Sequence, residues 1–206
     1  MNWSIVIPVK RPEVAKTRLA EAVGELRPAL ARAFAADTVA AALTSPAVEL
    51  IVAVTDDAPF AAEARQLGAV VVADAPDAGL NAALRHGAEQ ARARRPDLAI
   101  AALSADLPAL RPDELATALT AAEQHPVSFV GDLAGLGTTL YATLPGVPFA
   151  PRFGGRSRAA HRAAGAVELM LDGIPSLRRD VDTEVDLWDA LRLGVGPRTK
   201  AVAAEI

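Results

Sequence analysis

Two acidic groups draw attention because of where they fall relative to apolar sequence. Asp106 sits in Ser104-Ala105-Asp106-Leu107-Pro108, directly after the run Leu98-Ala99-Ile100-Ala101-Ala102-Leu103. An apolar run of that length reads as a strand buried on both faces, and ligands of open α/β sheets gather at the carboxyl ends of such strands. A second cluster, Asp180-Val181-Asp182, lies far along the chain. In extended backbone its two carboxylates point the same way, about 7 Å apart. If the clusters meet, Asp106, Asp180 and Asp182 make a site for a divalent cation such as Mg²⁺, of the type that handles nucleotide phosphates. Plainer roles stay open: an Asp before Leu-Pro suits a turn, and Thr183 is a natural cap for a following helix, so one Asp of the pair could be structural.

Three further stretches carry groups suited to anions or bases. Lys10, Arg11, Lys16 and Arg18 follow the first strand, an arrangement that holds phosphates or simply forms a solvated charged loop. It is not a Walker loop, because the Gly-rich cradle ending in Lys-Ser/Thr is missing. In Phe153-Gly154-Gly155-Arg156-Ser157-Arg158-Ala159-Ala160-His161 a glycine pair runs straight into a helix. Backbone N–H groups, a Ser hydroxyl and two arginines there would form an anion site, with Ser157 as mere cap the alternative. His161 shares the Ser157 face and would touch the anion or pack. In Gly79-Leu80-Asn81 the glycine permits close backbone approach, and the Asn amide would pair with a purine edge or cap a helix.

Strands and helices alternate along the chain around these groups. Strands are expected at Trp3 to Val9, Leu50 to Thr55, Val70 to Val72, Leu98 to Leu103, Pro126 to Gly131, Thr138 to Thr143 and Val167 to Leu171. Helices are expected over Gly24 to Thr44, with Pro28 in its first turn, Pro59 to Leu67, Asn81 to Arg94, Pro112 to Gln124 and Glu184 to Leu193, with a further one from Ser157. Asp56 or Asp57 is placed to cap the second of these. The alternation predicts a three-layer α/β/α fold with a mainly parallel central sheet.

Composition narrows the class. A chain of 206 residues suits a single domain spanning 1–206. A formal charge of −4 argues against a nucleic-acid partner. The absence of cysteine excludes disulfides, thiolate metal sites and thiol nucleophiles. No apolar stretch approaches the roughly 20 residues of a membrane span, and the opening lacks the charged leader of a signal peptide. The expectation is a soluble, cytoplasmic protein without membrane partners.

Taken in order, Ile7-Pro8-Val9-Lys10, Ala15-Lys16-Thr17-Arg18-Leu19, Gly79-Leu80-Asn81, Ser104 through Pro108, Gly137-Thr138-Thr139, Phe153 through His161 and Asp180-Val181-Asp182-Thr183 resemble the guanylyltransferases of coenzyme F420 biosynthesis. The resemblance covers essentially the whole chain. It departs at Gly135-Leu136-Gly137, where such proteins tend to carry Gly-Thr-Gly. It implies the nucleotide-diphospho-sugar transferase fold, Mg²⁺, and transfer of GMP from GTP to phosphoenolpyruvate or 2-phospholactate with release of pyrophosphate. It further implies nucleotide binding by Pro8, Val9, Lys10, Gly79, Leu80 and Asn81, acceptor binding by Lys16, Thr138, Gly154 and Ser157, and catalytic roles for Lys10, Lys16, Arg18 and Asp106, the three cations neutralising phosphate charge and the acid holding Mg²⁺. A homodimer is a family-level expectation. The high-GC coding background suggested by the Ala- and Arg-rich composition tilts the acceptor towards phosphoenolpyruvate. A phosphate monoester has its second pKa at about 6 and arrives largely dianionic, so no general base is required, which suits the lack of a Ser-His-Asp or Cys-His pattern. The rivals are a molybdopterin or sugar-phosphate nucleotidyltransferase of the same fold, whose Gly-x-Gly-x-Arg-Met loop is absent here, and a nucleotide-binding module without turnover.

Overall fold

The computed structural model describes residues 1–10, 19, 23–75 and 77–206. Trp3–Pro8 (β1), Val48–Val54 (β2), Val70–Val72 (β3), Ala99–Leu103 (β4), Val127–Gly131 (β5), Thr138–Thr143 (β6) and Val167–Glu168 (β7) form one sheet in the order β3-β2-β1-β4-β6-β5-β7. β6 runs antiparallel to both β4 and β5, and the other neighbours pair in parallel. The helices are Arg27–Leu43 (α1), entered through the 3₁₀ turn Gly24–Leu26, then Ala58–Leu67 (α2), Leu80–Arg94 (α3), Pro112–Ala122 (α4), Ser157–Ala163 (α5), Pro175–Arg178 (α6), Glu184–Leu193 (α7) and Pro197–Ala203 (α8).

Strand periodicity sorts the core into two faces. Trp3, Ile5 and Ile7 of β1 pack with Ala36 and Val39 of α1, Phe60 of α2 and Leu115 of α4. Val6, between them, turns the other way to meet Val52, Val54 and the α3 residues Ala83, Leu84 and Ala88. Helices therefore cover both faces, and all five residues of β4 are buried, as the apolar run before Asp106 predicts. A third cluster, including Leu30, Phe34, Ala109, Val181 and Leu187, ties α1 to α7 beneath the loops at the carboxyl ends of the strands.

Element boundaries differ from expectation where tertiary contacts decide them. The strand expected over 167–171 shrinks to Val167–Glu168, although the Leu169 N–H still reaches the Phe129 carbonyl at 2.8 Å. Neither α6 nor α8 is visible as periodicity. The start of α8 is held by the buried Asp37 carboxylate, which accepts from the Thr199 N–H at 2.8 Å and from the Arg198 N–H at 3.3 Å. The caps expected for α2 and α7 are present: Asp57 accepts from the Phe60 N–H at 2.8 Å, and Thr183 forms a reciprocal capping box with Asp186.

The reversed β6 matters for function. Its amino end lies beside the carboxyl end of β4, where the Ser104 N–H donates to the Thr139 carbonyl at 2.8 Å. Thr138 and Asp106 therefore come to the same edge of the sheet.

Candidate active site

That edge carries two adjoining cavities. The larger, of about 810 Å³, is lined by Asp132, Leu136, Thr138, Gly154, Ser157, Arg179, Asp180 and Asp182, among others. The smaller, of about 280 Å³, is lined by Pro8, Val9, Lys10, Phe34, Ser104 and Asp106, among others. Leu80 and Phe153 line both and form the wall between them. The sequence-predicted residues thus separate into a strand-1 side, with Pro8, Val9, Lys10 and Asp106, and a β6–α5 side, with Thr138, Gly154, Ser157, Asp180 and Asp182. Lys16 and Arg18 lie outside the described residues, as does Arg11. Gly79 and Asn81 line neither cavity.

Local hydrogen bonds explain how each wall is held. Asn81 does not cap its helix, and its amide is engaged by backbone. Gly79, with φ 89°, is the N-cap residue of α3, a left-handed conformation that costs glycine little. The Asn81 amide instead brackets the backbone of Phe153, donating to its carbonyl at 2.9 Å and accepting its N–H at 2.8 Å. Asn81 therefore pins the wall between the cavities. The Asp132 carboxylate organises the loop before β6, accepting from the N–H groups of Leu136 at 2.9 Å and Gly137 at 2.7 Å. Arg178 clamps the start of the same loop through the carbonyls of Gly131 and Asp132, each at 3.1 Å.

The anion site expected at the start of α5 is leaner than its sequence suggests. The helix has seven residues, so its dipole is small. The Ser157 N–H is already bonded to the Gly154 carbonyl at 3.0 Å, and that of Arg158 to the Leu136 carbonyl at 3.1 Å. Arg158 is not available to the cavity either, because its guanidinium pairs with Glu168 at 2.8 Å and with the Gly135 carbonyl at 3.0 Å. Arg156 is exposed and does not line the cavity. Among the described residues the cation that does line it is Arg179, held by Asp189 at 3.0 Å. Nothing in the Arg-Arg-Asp sequence distinguishes it from Arg178, whose side chain faces the loop instead.

His161 packs rather than touching an anion directly. It is fully buried, with ring centroids of Tyr141, Phe153 and Phe129 at 4.7, 5.4 and 5.5 Å. One ring nitrogen, Nδ1, lies 2.9 Å from Thr138 Oγ1, and the other accepts the Arg152 N–H at 2.8 Å. Burial, and then the positive charge of Arg152, push its pKa down to about 4, so the ring is neutral near pH 7.

The acid clusters converge through the backbone. The Val181 N–H donates to the Asp106 carbonyl at 3.0 Å, which places Asp106 next to the residue between Asp180 and Asp182. Among the described residues no group of three or more His, Cys, Asp or Glu side chains makes a ready metal cage. Magnesium does not ask for one, since it characteristically takes one or two carboxylates and completes its shell with water and substrate phosphates. Among the described residues Asp180 and Asp182 line the larger cavity beside Arg179, together with Asp132 and Asp186, whose carboxylates already hold the loop N–H groups and the α7 cap. One or two hard carboxylates beside an anionic substrate fit a divalent cation such as Mg²⁺.

A mainly parallel sheet with helices on both faces and adjoining cavities at its strand ends is the architecture of an α/β protein that takes its ligand at the carboxyl ends of the strands, here of the nucleotide-diphospho-sugar transferase fold. Solved structures agree on the fold: a protein from Desulfovibrio desulfuricans G20 titled a nucleotide-diphospho-sugar transferase superposes with TM-score 0.71 at 21% identity, covering 100% of this chain and 95% of its own. A cytidylyltransferase from Leptospira borgpetersenii follows with TM-score 0.57 at 14% identity, covering 100% and 94%. The family model described as "Guanylyl transferase CofC like" matches residues 3–201, and the chain belongs to that family. Its relatives include the phosphoenolpyruvate guanylyltransferase of Thermomonospora curvata, 61% identical over 100% of this chain and 90% of the relative. The protein of the same name from Streptomyces coelicolor is 59% identical over 100% and 98%.

Proposed function

We propose that this guanylyltransferase moves GMP from GTP to phosphoenolpyruvate, releasing pyrophosphate, as a step in coenzyme F420 biosynthesis. The observation that carries the reading is the single shared wall. The strand-1 side, with Pro8, Val9, Lys10 and Asp106, meets the β6–α5 side, with Thr138, Gly154 and Ser157, across Leu80 and Phe153. A nucleotide on one side and a small phosphorylated acid on the other would bring the acceptor phosphate to the α-phosphorus. An acceptor oxygen then bonds to that phosphorus while the bond to the bridging oxygen of pyrophosphate breaks. The nucleophile is already a dianion, so positioning and charge neutralisation suffice. The names of the relatives from Thermomonospora curvata and Streptomyces coelicolor favour phosphoenolpyruvate over 2-phospholactate as acceptor.

Lys10 neutralises the triphosphate from the strand-1 side, and Lys16 and Arg18, which follow it in sequence, add their charge to the same task. Asp106, Asp180 and Asp182 would hold Mg²⁺, which when bound neutralises phosphate charge. The reaction is proposed for the cytoplasm, and no helix among the described residues is long and apolar enough to cross a membrane. Purified protein with GTP, Mg²⁺ and each acid provides the test, read as pyrophosphate release. The expected order is phosphoenolpyruvate ahead of 2-phospholactate, and GTP ahead of ATP and CTP. Faster turnover of 2-phospholactate overturns the acceptor, a preference for ATP or CTP overturns the base, and no turnover with any pair overturns the reading.

A further inference from the structure

We propose that His161 is a positioning residue that fixes the Thr138 hydroxyl as a hydrogen-bond donor to the acceptor's phosphate. The inference rests on the acceptor reading above and adds a residue that lines neither cavity. It begins from the tautomer. The Arg152 backbone N–H lies 2.8 Å from Nε2, and an amide N–H can only donate, so Nε2 carries the lone pair. In a neutral ring the proton is then on Nδ1, which faces Thr138 Oγ1 at 2.9 Å and must donate to it.

A threonine hydroxyl has one hydrogen and two lone pairs. With one lone pair engaged by His161, the hydroxyl hydrogen is directed elsewhere, and Thr138 lines the larger cavity. A hydroxyl able to rotate must give up that freedom to aim its hydrogen at an arriving dianion. His161 removes that freedom, and donation into Oγ1 also polarises the hydroxyl, which strengthens the bond it makes. The ring itself has little room to turn, being fully buried against Tyr141, Phe129 and Phe153. Its pKa of about 4 keeps it in the neutral form that the relay requires. Asn81 joins the same construction, because it holds the Phe153 backbone adjacent to Arg152.

Two measurements test this. In the wild-type protein near pH 7, two-bond ¹H–¹⁵N correlation spectra of the imidazoles should show His161 as the Nδ1–H tautomer, and an Nε2–H form overturns the relay whatever any variant does. Kinetics then use wild type, Thr138→Val, His161→Phe and the double variant, with GTP and phosphoenolpyruvate varied separately. His161→Phe should lower kcat/KM for the acid by roughly tenfold, the scale of one hydrogen bond to a charged group, while leaving KM for GTP unchanged. Added to Thr138→Val it should cause no further loss, because its effect runs through the missing hydroxyl. Equal losses toward both substrates, or full additivity in the double variant, reduce His161 to packing and overturn the proposal. If Thr138→Val itself leaves the acceptor kinetics intact, the acceptor placement has failed, a result distinct from failure of the His161 relay.

Discussion

The Val181 N–H donates to the Asp106 carbonyl at 3.0 Å, and this one bond brings together acid clusters that are far apart in sequence. It fixes the backbone on which Asp106, Asp180 and Asp182 are carried, with the fully buried Val181 side chain anchored beside Leu30, Phe34 and Leu187. Packing beneath the site therefore helps to set the backbone that carries these carboxylates.

If these carboxylates carry Mg²⁺ to the phosphates, Asp106→Asn and Asp182→Asn should each lower turnover by on the order of 10²-fold or more, the scale of several kcal/mol of lost charge stabilisation. The melting temperature should stay within a few degrees of wild type. Calorimetric titration of Mg²⁺ in the presence of GTP gives a second readout, and the metal-dependent heat should fall in both variants. Wild-type turnover in either one removes that residue from the metal site.

Thr38 supports the Asp106 turn from below. Its fully buried hydroxyl accepts the Leu107 N–H at 3.1 Å and lies 2.7 Å from the Phe34 carbonyl and 3.1 Å from that of Ala105. Thr38→Val keeps the shape and strands the Leu107 N–H, which should cost about 1–3 kcal/mol. For a chain of this size that lowers the melting temperature by roughly 2–4 °C per kcal/mol. Turnover at 25 °C should drop several-fold because the turn bearing Asp106 loosens. Unchanged stability in a denaturation series would show that the turn is held without Thr38.

Asn81→Ala separates a wall residue from a base reader. Removing both bonds to Phe153 should raise KM for GTP and for phosphoenolpyruvate together, since Phe153 lines both cavities, while the preference for GTP over ATP stays as it was. A changed GTP/ATP ratio with intact acceptor KM would return Asn81 to the base.

The fold was legible because its signals are local. Strand–helix alternation, the continuous apolar stretch of β4 and the caps at Asp57 and Thr183 all follow from residues near one another in sequence. The acids and the strand-1 residues were legible as site candidates for the same reason, standing where apolar runs stop. What sequence reasoning missed depends on partners brought in by folding. The Asn81 amide looks equally suited to a base, a cap or a backbone until Phe153 arrives from a distant loop. The glycine-led turn before α5 looks rich in free donors until the Gly154 and Leu136 carbonyls take two of them. Arg179 and Arg158 cannot be ranked as ligands before Asp189 and Glu168 are seen beside them.

Asp57 provides a test by pH. Its nearly buried carboxylate receives the Phe60 N–H at 2.8 Å and Arg32 through Nε at 3.0 Å and Nη2 at 2.8 Å. Burial, the largest single influence, pushes its pKa up, but the Arg32 hydrogen bonds, the Phe60 N–H and the Arg32 charge together bring it below the ordinary 3.8. A carboxylate whose pKa is depressed by folding contributes stability that is fully present above its unfolded value and lost as pH falls through the folded one. Asp57→Asn keeps a cap oxygen but neither the charge nor the titration. It should therefore be less stable than wild type by roughly 2 kcal/mol at pH 7, and the gap should narrow below about pH 4. Urea denaturation of both proteins at pH 7, 5, 4 and 3 reads this directly. A gap that stays constant across that range would mean that the Arg32–Asp57 pair adds no charge-dependent stability and that Asp57 acts as a cap alone.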